Sequence, residues 1–580
     1  MPQANDTAAD LLTEYAELLQ MTGGDQFRAR NYVKAARAIA GHAADVSQLT
    51  PEQLQRIPGV GPAIAAKVAE ITATGTFAAL ERLRGEVPDG VLQLTRIPAL
   101  GPKRALQLYR ELHIGSPAEL REAVTAGRLA NLRGFGPKSA ERLLHGLDLL
   151  ESSGDRVLIN VAAETAEEVT GAVRAARGCL RCAPAGSLRR MAETIGDVDV
   201  LAEAEDSAPL MAALTGLAGA EVIAAGPTKT SVRTAGGLQV DLRVVRPGCW
   251  GAALQYFTGS QAHNVRLREI AVRKKRKLSE YSLTDTETGR VLASETEEEV
   301  YAALGLAWIP PTMREDTGEI QAALDGRLPV LVTEDDIRGD LHSHTSLTDG
   351  VAPLAEMVQA AAACGYAYYA ITDHAPNLFM QRMTDEKMLA QREQVRRLGA
   401  QMAARSPGGR APMALLHGTE LNIAPDGSVD WPADFLAGFD ICVASVHSHF
   451  DQPRAEMTRR FRIACENPHV HVIGHPLARQ LGRRPPVDVD LPELFRACAA
   501  TGTALEVNAH PHRLDLPSAH IRAAREAGVR FAINTDAHSV RDLGYLRYGV
   551  GTAQRGWLTA DDVINTWPLD RLQAFLRKRG

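Results

Sequence analysis

The sequence predicts a multidomain chain of mixed α and α/β class: helical N-terminal domains, a central α/β unit and a C-terminal parallel α/β barrel. Three observations carry this. A degenerate glycine–proline repeat recurs between Ile57 and Gly146. Two carboxylates at i, i+2 open the apolar-alternating run DVDVL at Asp197, and a third lies in LQVDLRVV. Thirteen of the 17 histidines fall at or beyond residue 340, gathered where short apolar runs end and alternating with helical patterns, which is the rhythm of a parallel barrel whose site lies at the C-terminal ends of its strands.

The repeat reads IPGVGPAIAAKVAE from Ile57, IPALGPKRALQLYRE from Ile97 and LRGFGPKSAERLLHG from Leu132. Each copy resembles a helix-hairpin-helix element. Gly59 and Gly61, Gly101, and Gly134 and Gly136 allow close approach of backbone to a phosphate, and Pro62, Pro102 and Pro137 suit the first helical position. The free N–H groups of the helix start then face the anion, a readout of DNA backbone and not of bases. The middle copy has Ala99 in place of the first glycine, so a structural role is expected for it.

In GSLRRMAETIGDVDVL, from Gly186 to Leu201, a Gly-Ser turn precedes the paired acids. On a strand, Asp197 and Asp199 share a face. With Asp241 they form an oxygen-only donor set suited to Mg²⁺ or Mn²⁺, the ions that hold phosphate oxygens and stabilise an in-line displacement. A bare DxD is usually a surface turn; the phosphate-gripping turn upstream favours nucleotidyl transfer. From Val265 to Lys277 seven basic residues face the single acid Glu269, and this run is expected to neutralise DNA phosphates. Against a formal net charge of −6, such local charge matters more than the total. The seven scattered cysteines do not suggest a secreted disulfide framework, and the CxxC of Cys179 and Cys182 lacks a second ligand pair. Neither a signal segment nor a membrane span is expected, which points to the cytoplasm, in association with the nucleoid.

These residues resemble the family X DNA polymerases over roughly the first 320 residues. The resemblance implies lyase-like helices over 1–80, helical fingers over 81–152, a nucleotidyltransferase palm with a mixed sheet over 153–248 and an α/β thumb over 249–318. It makes Asp197, Asp199 and Asp241 the metal triad, with Asp241 assisting deprotonation of the primer 3′-hydroxyl. Gly186, Ser187, Arg190 and Gly196 are implied at the nucleotide, the first three around its triphosphate. In LQYFTGSQAHNVRLREIA, Tyr256, Phe257 and Gly259 would shape the sugar pocket, and Asn264 and Arg268 would line the minor-groove side of the nascent pair. Met191 stands where family members carry glycine. Lys67 matches the Schiff-base lysine of the deoxyribose-phosphate lyases, while Ala63 replaces a phosphate-binding lysine.

After a connector over 319–337, the strings GDLHSHTSLTDG, YYAITDH, LLHGTE, ICVASVHS, VHVIGH, ALEVNAHPH and FAINTDAHS mark seven strand ends. They resemble the polymerase and histidinol phosphatase (PHP) domain, a distorted TIM-like (β/α)7 barrel, here over 338–580. Carried over, His342, His344, Asp349, His374, Glu420, His447, His475, Asp536 and His538 would hold up to three ions. The N and O donors suit Mn²⁺, Zn²⁺ or Fe²⁺. His417, His469 and His471 are expected as core or capping residues, and Thr348 as a harmless variation. Together the modules imply a DNA polymerase that fills short gaps in repair, with a 3′-5′ exonuclease in the barrel. Its partners would be gapped or nicked DNA, deoxynucleoside triphosphates and other repair proteins. The competing readings are a DNA-binding scaffold with a degenerate site and a small-molecule phosphatase.

Overall fold

A computed structural model describes residues 3–578 apart from 43, 88–90, 92–93, 96, 98–99, 130–131, 133, 137–138, 145, 148–155, 379–382 and 405–411. Ala99 and Pro137 lie outside the described residues. The helical part starts with Gln3–Met21 and Gln26–Ala40, the second capped by Asp25, whose carboxylate accepts from Phe27 N. Their apolar stripes meet in a core where Tyr15 packs edge-on against Tyr32 and Phe77. Phe77 is fully buried, so its truncation to alanine costs about 3–5 kcal/mol. The repeat predicted from the glycines is real in its hydrogen bonds. The backbone N–H groups of Val60, Leu100 and Phe135 donate to the carbonyls of Ile57, Ile97 and Leu132 at 3.0, 3.0 and 3.1 Å, one identical turn made three times.

A ribbon of β1 (Val157–Leu158) and β3 (Thr194–Ile195) leads into a five-stranded sheet. Its members are β2 (Arg181–Pro184), β4 (Asp197–Glu203), β5 (Glu221–Ala225), β6 (Lys229–Arg233) and β7 (Gln239–Val245), in the order β2-β4-β7-β6-β5. Only β4 and β7 run parallel, so the sheet is mixed as expected. The strand period of two sends Val198, Val200, Val240 and Leu242 into the core under helix Ile159–Ala175, leaving the acids on the other face. Next come helices Trp250–Thr258 and Gln261–Arg273, the antiparallel strands β8 (Arg276–Leu278), β9 (Leu283–Asp285) and β10 (Val291–Ala293), and helix Glu297–Ala303. A buried knot ties this unit to the palm: Glu297 takes Arg189 and fully buried Arg314 at 2.8 and 2.7 Å.

The residues from Ile309 to Ile337 read in the sequence as allowing substrate to pass between two sites either by a flexible connector or by release and rebinding; the structure shows 319–337 packed. Glu319 is fully buried and bonded to His263 at 2.6 Å, while Val332 N donates to Leu558 O at 2.9 Å. A charge and an apolar side chain placed there have to find partners, which pins the strap to both halves.

The strands β11 (Gly339–Asp340), β12 (Tyr368–Ile371), β13 (Ala414–Asn422), β14 (Ile441–Ser445), β15 (Val472–Ile473), β16 (Ala504–Asn508) and β17 (Phe531–Asn534) are all parallel, in sequential order. A bridge between Ser343 and Ala537 closes the barrel. Tyr368, Leu416, Ile441 and Val472, early in their strands, cluster with Ile564, Trp567 and Leu572 of the C-terminal segment, which plugs that end. The opposite end carries the histidines. Among the described residues no single helix is long and apolar enough to cross a membrane.

Candidate active sites

The first site grows out of the pairing of β4 with β7, whose register sets Asp199 directly opposite Asp241. With Asp197 their carboxylates offer ligand oxygens within 4.8 Å of one another. Burial, then the charges of Asp197 and Asp241, push Asp199 up to about 7. Asp241 is likewise penalised by burial, but hydrogen bonds from Lys229, Ser231 and Gln239 bring it below the usual carboxylate range. Lys229 Nζ lies 2.6 Å from Asp241 Oδ2; sequence reading missed it, because a lysine on the neighbouring strand β6 carries no motif. So crowded a set of acids calls for a cation, and the donors fit a hard divalent ion.

The Gly-Ser turn is the short helix Gly186–Arg189, lying against β4. Gly186 has φ 59°, and a Cβ there would run into the Asp199 carboxylate. Arg190 Nη1 donates to Thr258 O at 2.6 Å, and its Nε meets Glu315 at 3.0 Å. Gly259, also left-handed, makes room for that guanidinium: a Cβ would stand 3.2 Å from Nη1. Gly196 directly precedes β4 and would contact Arg156 at the same distance if it carried a Cβ. Tyr256 and Phe257 pack edge to face at 5.1 Å near the end of their helix. Asn264 is turned inward, its amide accepting from Gln255 and donating to Tyr256 O, both at 2.7 Å. It therefore reaches a base pair only by exchanging those bonds, whereas Arg268 already stands exposed.

Around the hairpins, Gly59 and Gly134 have φ 83° and 92°, and the space beside Gly61, Gly101, Gly134 and Gly136 is open. Gly61 and Gly101 cap helices Pro62–Thr74 and Pro102–Leu112 without a side-chain bond; proline takes the first position of each, and the N–H groups of Ala63 and Lys103 have no backbone acceptor among the described residues, leaving one donor per helix start for an anion. Lys67 lies over the Tyr32 ring at 5.7 Å and donates to Ala63 O. In the basic run, Lys275 pairs with Glu287 and Arg266 with Glu269, so part of that charge is spent within the fold. Among the described residues, the metal-capable clusters include no cysteine, and burial pushes the Cys182 thiol up to about 12.

The second site lies at the C-terminal mouth of the barrel. Eight of the nine expected ligands fall into three overlapping groups: His344, Asp349, His374 and His538; His342, His344 and Asp536; His374, Glu420 and His447. His475 joins through Nε2, 2.9 Å from Glu420 Oε1. His344 Nδ1, His475 Nδ1 and Asp349 Oδ1 are buried without a hydrogen-bond partner, atoms that a metal would satisfy. The electrostatics agree. Although burial opposes it, Glu420 and Asp349 raise His374 to about 10, and Asp349 with Asp536 raises His538 to about 9. Burial and then the His538 and His374 charges lower His344; burial and Arg513 bring His475 down to about 4. Glu420 and Asp536 stay well below their ordinary values despite burial, held there by the surrounding imidazoles.

Sequence reading missed the groups that orient these ligands. Glu506 accepts His342 Nδ1 at 2.7 Å and His475 N at 2.7 Å, and Asn508 bridges Glu506 to Asp536. Such partners fix ring orientation and tautomer. Asp340, raised to about 6 by burial, accepts from His342 N. Arg513 Nε reaches Asp536 at 3.3 Å while its buried Nη1 has no hydrogen-bond partner. Thr348 donates to Asp373 at 2.5 Å, so the hydroxyl is retained in use. His417 and His471 are buried outside the cluster, as expected.

Comparison with known families agrees with both sites. The helix-hairpin-helix domain matches residues 3–77, the SAM-like helix-hairpin-helix tandem 91–148, the DNA polymerase beta thumb 253–315 and the PHP domain 340–510. The DNA polymerase/3′-5′ exonuclease PolX of Bacillus subtilis is 34% identical over 572 residues, 98% of either chain. DNA polymerase lambda of Rattus norvegicus is 29% identical over 52% of this chain and 56% of its own length. A probable phosphatase of Edwardsiella ictaluri is 28% identical over 42% of this chain and 94% of its own. With a beta-type thumb, hairpin domains and a barrel in one full-length match, the chain belongs to the family X DNA polymerases that carry a C-terminal PHP domain.

Proposed function

We propose that this chain is a DNA-directed DNA polymerase that fills short gaps during base excision or break repair and trims 3′ ends in its barrel. The observation that carries it is the coexistence of two complete ligand sets, Asp197–Asp199–Asp241 and the histidine cluster, within one full-length relative of a polymerase/3′-5′ exonuclease. The divalent ions, Mg²⁺ or Mn²⁺ in the palm and Mn²⁺, Zn²⁺ or Fe²⁺ in the barrel, supply charge neutralisation and activation of the attacking oxygen. The chain supplies the rest. Asp241, ionised at neutral pH, accepts the proton of the primer 3′-hydroxyl once Lys229 releases it. The primer oxygen then bonds to the α-phosphorus and pyrophosphate leaves, its charge met by Arg190 and the Ser187 turn. In the barrel a water oxygen bonds to the terminal phosphorus and the ester oxygen departs; Arg513 Nη1 is the free donor for a phosphate oxygen.

Asn264 and Arg268 take the minor-groove side, and Tyr256, Phe257 and Gly259 the sugar. Lys67 is left out of the catalytic assignment, because Ala63 offers no cation for a 5′-phosphate. Cytoplasmic action at the nucleoid, and contact with other repair proteins, belong to the same proposal. The test is a primer-labelled duplex with a short gap in Mn²⁺, with and without deoxynucleotides. Extension should vanish in Asp241→Ala with trimming intact, and trimming should vanish in the His342→Ala/His344→Ala double variant with extension intact. Retained extension by Asp241→Ala overturns the palm assignment.

A further inference from the structure

A helix of the barrel reaches into the polymerase centre. Helix Leu546–Arg555 ends against the turn that follows Ser187, and Arg555 Nη1 donates both to Arg190 O at 2.7 Å and to Glu315 Oε1 at 2.8 Å. The same Glu315 oxygen takes Arg190 Nε at 3.0 Å. One carboxylate oxygen is thus shared by a guanidinium of the palm and one of the barrel. Burial disfavours the Glu315 charge, yet Arg190 and Arg555 hold its carboxyl below the usual range. The side chains of Arg190 and Arg555 are each 16% exposed.

A second contact flanks the same residue. Met191 has φ 55°, a conformation that favours glycine, and its side chain lies on Gly551 of the barrel helix, where a Cβ would stand 2.7 Å from Met191 Cγ. Met191, one of the departures from the family, therefore rests on the barrel.

These contacts leave Arg190 with Nε and Nη1 committed, to Glu315 and to Thr258 O, and with Nη2 free of any protein partner among the described residues. With Nε and Nη1 each tied to a fixed acceptor, the guanidinium plane is set and Nη2 is presented at a fixed angle as a charge-assisted donor for a phosphate oxygen. We propose that Arg555 is a positioning residue of the polymerase: through Glu315 and the Arg190 carbonyl it sets the angle at which Arg190 receives the triphosphate of the incoming deoxynucleotide. This rests on the reading of Arg190 as a triphosphate ligand. The exonuclease barrel is, on this view, a structural part of the nucleotide site.

The experiment is single-nucleotide gap filling by the full-length chain, with KM for deoxynucleotide and kcat measured separately and exonuclease rate taken on the same preparations. Arg555→Met should raise KM by about five- to tenfold with a smaller change in kcat, as expected for loss of a charge-assisted hydrogen bond that is partly screened. Arg555→Lys should recover part of it. Arg190→Ala should raise KM further, and Arg190→Ala/Arg555→Met should be no worse than Arg190→Ala alone. An unchanged or lowered KM in Arg555→Met while Arg190→Ala raises it overturns the proposal, as does full additivity in the double variant. An unchanged KM in Arg190→Ala sinks the underlying reading instead, and this proposal with it. Should Arg555→Met lose its exonuclease and so its fold, Glu315→Gln decides: a raised KM supports the relay and an unchanged one refutes it.

Discussion

Gly186 is the point at which backbone conformation and catalytic geometry meet in a single residue. Its left-handed φ and the Asp199 carboxylate against its α-carbon each forbid a side chain. Gly186→Ala displaces either the turn or the carboxylate, and a misplacement of about 1 Å can cost ~100-fold. Extension should fall by that order while exonuclease holds, and the strain of about 1–2 kcal/mol at a left-handed position should lower the thermal midpoint; an unaffected extension rate would show that the carboxylate tolerates the shift. In the barrel the relevant residues are His374 and His538, raised to about 10 and about 9 by their carboxylate partners. A raised imidazole adds stability that is present below its ordinary value and lost as pH climbs through the folded one. In chelator the barrel's thermal midpoint should therefore drop as pH rises from 6.5 towards 10, and metal uptake near neutrality should release protons, since only neutral imidazoles ligate. Calorimetry in buffers of different ionisation enthalpy reads that release; buffer-independent heats would contradict it. The nine candidate ligands came from strings near strand ends that resemble the PHP domain, and the structure brings eight of them into three overlapping groups. Glu506 and Asp340 were not read from the sequence, although a carboxylate inside the apolar run ALEVN is itself a signal: a buried charge requires a partner, and His342 is that partner.

The hairpin is the element whose presence was easiest to read, since three copies of one turn leave the same mark on the sequence three times. Its elements and the basic helix make different predictions about DNA. Backbone N–H groups bind phosphate without displacing counterions by side-chain charge, whereas each Arg or Lys on a phosphate contributes about −0.9 to the slope of log K against log salt. Gly59→Ala/Gly134→Ala strains two left-handed positions by about 1–2 kcal/mol each. It should weaken binding to gapped duplex by roughly tenfold or more at an unaltered salt slope, while Arg268→Ala should flatten the slope by about one contact's worth. Equal slope changes in both would mean that the hairpins do not touch the phosphates. The face of β4 was equally readable, because i, i+2 acids alternate with valines, whereas its pairing with β7 and the register that sets Asp199 opposite Asp241 came only from the structure. The strap over 319–337 was not readable: a short run with a Gly, a Pro and the acids of TEDDI looks like a linker, and only tertiary partners such as His263 and Leu558 reveal it as packed.

At the scale of the whole molecule, the loops that carry the barrel's ligands are fastened to the polymerase half by separate contacts. Beyond His447, Asp451 pairs with Arg142 of the third hairpin at 2.5 Å; beyond His475, Arg479 pairs with Glu193 of the palm at 2.8 Å. Beyond His538, Arg541 takes Asp6 at 2.8 Å and Glu164 at 3.0 Å, and Ser539 packs on Gly41, where a Cβ would stand 2.7 Å away. Exposed pairs of this sort are worth about 0–1 kcal/mol each and are screened by salt. Arg541 differs, being bidentate to Asp6, bonded also to Ala40 O, and only 16% exposed. Its loss leaves Asp6 and Glu164 facing each other without a cation, at a cost of about 2 kcal/mol. That shifts docking of the helical domain by roughly thirtyfold. Arg541→Ala should accordingly show a larger radius of gyration by small-angle scattering at low salt, with its bound-metal content unchanged because the ligands lie within the barrel. The unaltered chain should expand towards the same value as salt is raised. Superimposable scattering curves at every salt concentration would mean that apolar contacts such as Val351 on Gly41, and not charge, hold the two halves together.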